Sequence, residues 1–126
     1  MIDTHSHILP DLDDGFETTA RSMDAIALAA AQGVRVIVAT PHCCDGVYNC
    51  SKSDILAACA DLSAAVDRAG IDIQILPGAE IRVNHDLVER FDAGELLTLG
   101  NAGTSLLLEL PPMFITQAVC QMIRRL

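Results

Sequence analysis

The sequence predicts an α/β fold in which parallel strands form a sheet and helices lie outside it. Apolar, β-branched segments of strand length alternate with segments of helical periodicity along the chain. The strand segments are apolar almost throughout, which is typical of parallel sheets that are covered on both faces. The residues best suited to chemistry also recur near the C-terminal ends of successive strand segments. Sites in α/β folds are built at that edge.

The first predicted strand opens the chain and ends in a His-x-His motif formed by His5 and His7. A strand has a period of two, so both imidazoles point the same way and together suit a transition metal. Three carboxylates that could add oxygen ligands follow in the next loop: Asp11, Asp13 and Asp14. This mixture favours Mn, Fe or Zn over Ca or Mg. A surface histidine pair beside an acidic turn is the alternative interpretation.

A helix and a second strand are predicted next. Thr18 or Thr19 can cap the helix, and Gly33 ends it. Its apolar face is predicted to contain Met23, Ile26, Ala27, Ala30 and Ala31. A β-branched strand then covers residues 34–39 and leads through a proline, which cannot donate to a sheet, to His42. This histidine therefore leaves a strand at its C-terminal end, as the first two histidines do.

The same pattern is repeated once more. Ser51 or Ser53 can cap a helix over residues 54–68. Its predicted core face contains Ile55, Leu56, Cys59, Leu62 and Val66. Gly70 ends that helix, and residues 71–76 form a third strand. The strand exits into a loop that contains Glu80 and Arg82.

The last third of the chain has a weaker pattern. We expect Asn84 to cap a short helix that runs through Phe91, and residues 96–99 to form a small extra strand. Residues 105–110 form the last strand, which two prolines close, and residues 116–126 form a helix.

Two carboxylates stand in apolar surroundings. Glu109 lies within an apolar strand, where an unpaired charge would be costly to bury, so we predict that cations pair with it. The same interpretation is favoured for Glu80, which lies between an alanine and an isoleucine. His85 is expected on a helix surface in contact with solvent. Arg82 could bind an anion or cover the neighbourhood of Glu80, and the sequence does not decide between these roles.

Composition excludes several classes of function. The chain has 126 residues, is 51% hydrophobic and carries 17 acidic against 8 basic residues, for a net charge of −9. That content supports one domain with a real core. The charge disfavours a broad interface with nucleic acid or an anionic membrane. No segment resembles a signal peptide or a membrane span, so a cytoplasmic protein is predicted.

The cysteines do not form a disulfide or zinc-ribbon pattern, since their number is odd and no CxxC pair occurs. We expect reduced thiols: Cys43, Cys44, Cys50, Cys59 and Cys120. Cys59 and Cys120 fall on apolar helical segments and are predicted to be in the core. Cys43 and Cys44 directly follow a candidate ligand and could be reactive or close to a metal.

Several segments carry a family signature when they are taken together. They are Asp3-Thr4-His5-Ser6-His7-Ile8-Leu9-Pro10 with Asp13-Asp14-Gly15, then Ala39-Thr40-Pro41-His42, Pro77-Gly78-Ala79-Glu80-Ile81 and Leu107-Leu108-Glu109-Leu110-Pro111. In order and spacing they resemble the PHP-type metal-dependent protein-tyrosine phosphatases of the CpsB/CapC (YwqE-like) family. The resemblance implies a distorted (β/α)₇ barrel, of which this chain would be a part. It also implies hydrolysis of phosphotyrosine on a bacterial tyrosine kinase that governs capsule or exopolysaccharide assembly.

The resemblance also implies a set of site residues. The implied metal ligands are His5, His7, Asp14, His42, Glu80 and Glu109. Glu80 would be the bridging carboxylate, and full-length members would bind two to three ions of Mn²⁺, or of Fe, Zn or Co. Arg82 stays a candidate contact to the anionic substrate because of its place near Glu80 in the sequence, and not because of the resemblance. A metal-bound water would attack phosphorus with no protein nucleophile, and the chain has no C-x5-R loop of a cysteine phosphatase. Metal affinity should fall below about pH 6, because imidazole must be neutral to coordinate.

The chain departs from the family in length. Members are about twice as long, and a closed barrel of this kind normally needs roughly 200 residues or more. The later histidine-, aspartate- and arginine-containing motifs of the family do not occur in these residues. We therefore expect one partial PHP domain over residues 1–126, equivalent to the N-terminal half, with an incomplete metal cluster and weak or no activity.

Two alternatives stay open. One is another PHP phosphoesterase, such as a histidinol-phosphate phosphatase or a polymerase-associated exonuclease domain. The other is an inactive metal-binding fragment that could self-associate through an open sheet edge.

Overall fold

The computed structural model describes residues 1–43, 46–48 and 50–126. In chain order its elements are β1 (Ile2–Ser6), α1 (Thr19–Ala31), β2 (Val36–Ala39), β3 (His42–Cys43), α2 (Lys52–Arg68), β4 (Gln74–Pro77), β5 (Glu80–Arg82), α3 (Leu87–Asp92), a 3-10 helix (Leu99–Asn101), β6 (Leu107–Glu109) and α4 (Gln117–Ile123). All paired strands are parallel. The predicted α/β class is confirmed, although the strands are shorter than the apolar segments that predicted them.

The strands form two small sheets, with the orders β1-β2-β4 and β3-β5-β6. β3 and β5 follow β2 and β4 after interruptions of only two residues. At the first interruption Pro41 has no N–H to donate. At the second, a Cβ on Gly78 would lie 2.9 Å from Cγ1 of Val38, so a side chain there would clash with β2. After these interruptions β3 and β5 pair with each other in the second sheet.

Side-chain caps begin the helices where the sequence predicts them. The Thr18 hydroxyl accepts a hydrogen bond from the backbone of Arg21, and Gly33 ends α1 with a φ of +91°. Ser51 and Asp54 form a capping box at the start of α2, in which each side chain accepts from the other residue's backbone N–H. Thr116 caps α4. The predicted cap of α3 is wrong, because Asp86 occupies the N-cap position instead of Asn84.

The core lies between the sheets and the two long helices. All five residues predicted for the inner face of α2 contribute to it, with Ile55 and Leu62 almost fully buried. In α1 only Ser22 and Ile26 are fully buried, while Ala27 and Ala31 are exposed, contrary to prediction. The helix contacts the core along a narrow stripe, and methyl side chains on either side of that stripe do not reach it.

Two further predictions for the last third of the chain are wrong. Residues 96–99 form no strand among the described residues; Leu96 and Leu97 are buried without sheet pairing, and a 3-10 helix follows them. Cys120 is exposed, because α4 packs Val119 and Met122 against the core instead. Three consecutive apolar residues before α4 are also exposed: Met113, Phe114 and Ile115. Within the described residues, no helix has the length and apolar character that crossing a bilayer would require.

Candidate metal centre

All six side chains predicted as metal ligands converge at one edge of the sheets. They are His5, His7, Asp14, His42, Glu80 and Glu109. β1 contains the first and leads into the second, the following loop contains the aspartate, and β3, β5 and β6 contain the other three. Parallel strands present their carboxyl ends at a shared edge, which explains the convergence. Glu80 begins a strand of its own, whereas the sequence predicted a loop.

Three of these side chains form the centre of the cluster. Oε2 of Glu80 lies 3.2 Å from Nε2 of His5 and 3.2 Å from Nε2 of His7, and the two histidine atoms are 3.4 Å apart. Ligand atoms that share one ion at about 2.0–2.2 Å are themselves about 3–3.5 Å apart. The Glu80 side chain is only 12% exposed. The spacing of the three atoms therefore fits a common divalent ion.

The hydrogen-bond geometry of His7 supports this fit. Its Nδ1 lies 2.7 Å from Oδ2 of Asp13, a fully buried carboxylate that can only accept. A neutral ring that donates its Nδ1 hydrogen to Asp13 has a lone pair on Nε2, which faces the carboxylate of Glu80. Two acceptors at this distance repel each other unless a proton or a cation lies between them. A carboxylate that orients a histidine in this way is a common feature of metal sites.

Asp14 and His42 extend the cluster on the other side. Oδ1 of Asp14 lies 3.3 Å from Nδ1 of His7 and 3.8 Å from Nε2 of His42. Nδ1 of His42 is 3.5 Å from Oε2 of Glu80. The Glu80 carboxylate therefore lies between His42 and the pair formed by His5 and His7. These distances allow a second ion near Asp14 and His42, with Glu80 close to both positions.

Two buried atoms of the cluster have no hydrogen-bond partner in the part of the chain that the structure describes. They are Nδ1 of His42 and Oε2 of Glu109, which lie 3.9 Å apart. Leaving a buried polar atom unsatisfied costs about 1–3 kcal/mol. A bound cation would satisfy both atoms, so this observation is independent of the spacing around Glu80 and supports the same conclusion.

Asp13 connects several parts of the cluster through hydrogen bonds. Besides His7, its side chain accepts from the backbone N–H of His42 at 2.8 Å and of Gly15 at 2.9 Å. The residue pattern placed three aspartates near the histidines, and only the family resemblance singled out Asp14 as a ligand. Asp13 is the buried residue that orients His7, and Asp14 is the exposed one that faces the cluster. Asp11 is exposed and belongs to neither of the two candidate ligand groups, which are His5, His7 and Glu80, and His7, Asp14 and His42.

Arg82 is the cation nearest to the candidate ligands among the described residues. It lies opposite Glu109 in the parallel pairing of β5 with β6, and its Nε is 3.8 Å from Oε2 of Glu109. Its side chain is 40% exposed. The position is compatible with a contact to an anion at the edge of the cluster.

Other predictions for the site have mixed outcomes. His85 is exposed, as expected, although it precedes α3 and does not lie on it. Cys44 lies outside the described residues. Tyr48 was not singled out from the sequence, yet its ring stacks on that of His42 with centroids 5.7 Å apart. No short-range pattern links these two residues, so the stacking could not be predicted.

The described cysteines are all reduced thiols. Cys43 is buried at the end of β3, and a hydrogen bond with its thiol lowers the pKa of Cys50. Burial raises the pKa of the Cys59 thiol, which lies in the core as predicted. A cavity of about 960 Å³ borders Cys50, Lys52 and Arg90; the described residues that line it include none of the six candidate ligands.

Comparisons with known proteins agree with this geometry. The chain is 37% identical to the tyrosine-protein phosphatase YwqE of Bacillus subtilis over 111 residues, which cover 88% of this chain and 43% of YwqE. It is 33% identical over 107 residues to the tyrosine-protein phosphatase CpsB of Streptococcus agalactiae, covering 85% and 44% of the two chains. The chain thus spans about half the length of the curated relatives it matches.

The structure superposes on a solved chain from crystallographic work on YwqE of Bacillus subtilis and CpsB of Streptococcus pneumoniae, described as unique metal-dependent tyrosine phosphatases. The TM-score is 0.90 at 34% identity, over 97% of this chain and 49% of the solved one. The superposition confirms the predicted PHP-type fold over that part. The family model for capsular polysaccharide synthesis proteins CpsB/CapC also matches residues 1–126. The chain therefore belongs to the CpsB/CapC family.

Proposed function

We propose that the cluster at the carboxyl edge of the strands binds divalent metal ions and serves the hydrolysis of phosphotyrosine. One observation carries the proposal: three potential ligand atoms, from His5, His7 and Glu80, lie within 3.4 Å of one another. Nearby, Nδ1 of His42 and Oε2 of Glu109 are buried without hydrogen-bond partners among the described residues. A bound cation would stabilise a cluster of this kind. The named activity of YwqE and CpsB supports the choice of reaction.

The residues of the cluster have separate roles that suit the hydrolysis of a phosphate ester. Bound metal would polarise phosphoryl oxygens and lower the pKa of a coordinated water. Asp13 fixes the orientation of His7, and Glu80 lies between His7 and His42. The exposed part of Arg82 could neutralise charge on a phosphate at the rim. Cys43 and Cys50 are buried thiols outside the cluster and do not act as nucleophiles toward phosphorus in this proposal.

The proposed metal ion and substrate protein rest on the resemblance to the family. We propose Mn²⁺ as the physiological ion, with Fe, Zn or Co as alternatives, and two to three ions per complete site. The proposed substrate is a phosphorylated bacterial tyrosine kinase of capsule or exopolysaccharide assembly in the cytoplasm. Residues 1–126 would form one partial PHP domain. Self-association is also a prediction, as is the absence of contacts with nucleic acid or of insertion into a membrane.

The proposal is tested by elemental analysis of the purified 126-residue chain and by phosphate release from a phosphotyrosine peptide with added Mn²⁺. We expect bound metal and slow, Mn²⁺-dependent turnover. Glu80→Gln should lose metal and turnover together, because an amide oxygen is a weak ligand. The control Glu89→Gln changes an exposed glutamate on α3 and should behave as the wild type. Absence of bound metal would refute the proposal.

A second candidate is a metal-binding module without catalysis. It is favoured by the partial length, since the chain covers 43% of YwqE and 44% of CpsB. Metal bound through Glu80 with no release of phosphate would support this candidate over the first. Turnover of histidinol phosphate but not of the phosphotyrosine peptide would instead indicate another PHP phosphoesterase.

A further inference from the structure

We propose that Cys43 and Cys50 form a peroxide-sensitive dithiol that closes into a disulfide and thereby weakens metal binding at His42. Formation of the disulfide does not depend on the proposed function. Its effect on metal binding rests on that function. The two parts are therefore tested by separate measurements.

The two cysteines are already placed side by side. Sγ of Cys43 donates to the carbonyl of Cys50 at 3.2 Å, and Sγ of Cys50 donates to the carbonyl of His42 at 3.0 Å. Each sulfur therefore lies against the backbone at or next to the other cysteine. Closure of the pair would bring the two sulfurs to the roughly 2.05 Å of a disulfide.

Of these two buried cysteines, Cys50 is the one closer to solvent, since it is 9% exposed. Cys50 lines the cavity of about 960 Å³ together with polar and charged side chains such as Ser51 and Lys52. Cys43 is 2% exposed and is not among the residues that line the cavity. This arrangement assigns the first reaction to Cys50 and the second to Cys43.

The reaction balances with hydrogen peroxide as the oxidant. The Cys50 sulfur attacks one peroxide oxygen, the O–O bond breaks, and the products are a sulfenic acid and one water. The sulfur of Cys43 then attacks the sulfur of the sulfenic acid, the S–O bond breaks, and a second water leaves as the S–S bond forms. The two thiols lose two electrons and two hydrogens, and peroxide is reduced to two waters.

The disulfide would act on the metal centre through His42. Cys43 follows His42 directly in β3, and the Cys50 thiol donates to the His42 carbonyl. Oxidation removes both S–H donors and pulls the end of β3 toward the start of α2. Tyr48, which stacks on the His42 ring, lies in the connecting loop and would shift with it. A displaced imidazole no longer lies where Glu80 and Asp14 can share an ion with it.

The first experiment detects the disulfide itself. Cys43, Cys44 and Cys50 would share one tryptic peptide, residues 36–52, so Cys44→Ser provides a background in which only one internal pair is possible. After treatment with one equivalent of hydrogen peroxide, that peptide should lose the mass of two hydrogens. Cys43→Ser and Cys50→Ser in this background should each abolish the loss, while Cys120→Ser, on the exposed part of α4, should retain it. Oxygen addition without that loss would overturn the proposal.

The second experiment measures Mn²⁺ binding by calorimetry on the reduced and the oxidised Cys44→Ser protein. We expect oxidation to weaken binding by about tenfold, as for other disturbances next to a metal ligand, and dithiothreitol to restore it. Peroxide should leave the affinity of Cys50→Ser unchanged. A disulfide with unaltered Mn²⁺ affinity would overturn the coupling. Reduced protein that binds no Mn²⁺ would overturn the proposed function and the coupling, while the mass measurement would still decide whether the dithiol exists.

Discussion

Asp13 shows how one buried carboxylate determines the geometry of the candidate metal centre. Its side chain is fully buried and accepts from the ring of His7 and from the backbone of His42 and Gly15. These three hydrogen bonds fix the position of both histidines relative to the loop. Because the histidines come from β1 and β3, a single side chain relates elements that are distant in sequence.

Asp13→Asn tests this role. The amide has nearly the same shape, but its NH₂ group is a donor and would face at least one of the N–H groups that Asp13 now accepts. We expect Mn²⁺ affinity to fall by about 10- to 100-fold, measured by calorimetry. Asp11→Asn is the matched control, because Asp11 is exposed in the same loop and lies outside the candidate groups. Equal affinities of the two variants would contradict the assignment.

Gly15 is needed where the acidic loop passes under His7. A Cβ at this position would lie 2.2 Å from the carbonyl oxygen of His7 and 2.8 Å from its Cβ. Gly15→Ala must displace the loop, so we expect a loss of about 1–3 kcal/mol in the free energy of unfolding together with weaker Mn²⁺ binding. Gly33→Ala places a methyl group in open space but at a φ of +91°. It should cost about 1–2 kcal/mol through backbone strain and leave metal binding unchanged; urea unfolding and calorimetry distinguish the two variants.

At the scale of elements, the capping box of α2 makes stability depend on pH. The Ser51 hydroxyl and backbone N–H both donate to the Asp54 carboxylate, which lowers the pKa of Asp54. A lowered folded pKa adds stability above the unfolded value of about 3.9 that is lost as pH falls through the folded value. Asp54→Asn should therefore destabilise the chain at pH 7, and its difference from wild type should shrink below about pH 4. Urea unfolding at both pH values measures this.

Asp61→Asn provides the control for that prediction. Asp61 is exposed further along α2, outside the capping box. Its substitution should change the free energy of unfolding little at either pH. A difference between Asp54→Asn and wild type that stays constant down to pH 3 would contradict the capping mechanism.

The elements also show which parts of the fold were predictable. Caps at Thr18 and Ser51 depend on a few neighbouring residues, and the sequence named each of them as one of two candidates. The interruptions at Pro41 and Gly78, which divide each predicted long strand in two, depend on pairing and contacts with the adjacent strand. A local sequence pattern does not contain that information. For the same reason Leu96 and Leu97 suggested a strand, although tertiary packing buries them without sheet pairing.

The candidate site was more predictable than the strand boundaries. The positions near strand ends drew attention to five residues, because strand ends in a parallel sheet converge whatever the details of the register: His5, His7, His42, Glu80 and Glu109. Asp14 was named as a ligand only through the family resemblance. The residue pattern alone did not separate Asp14 from Asp13, since adjacent residues in a loop point in directions that only the folded backbone sets. The contacts of Cys50 and Tyr48 with β3 follow no short-range residue pattern, so the sequence did not reveal them.

At the scale of the whole molecule, the cluster joins both sheets. β1 of the first sheet contributes His5, and the second sheet contributes His42, Glu80 and Glu109. An ion bound there binds only the folded chain, because these residues are separated in sequence. At a free metal concentration of 100 times Kd, such binding adds about 2.7 kcal/mol to the free energy of unfolding.

This linkage makes a stability measurement report on the site without any assay of turnover. Urea unfolding with saturating Mn²⁺ should show higher stability than unfolding in EDTA, because the ion binds the folded chain preferentially. His7→Ala should abolish the difference between the two conditions, since it removes a ring that contacts Glu80, Asp13 and Asp14. His85→Ala should preserve the difference, because His85 is exposed and does not belong to either candidate group. A stabilisation by Mn²⁺ that survives His7→Ala but not His85→Ala would place the ion elsewhere on the molecule.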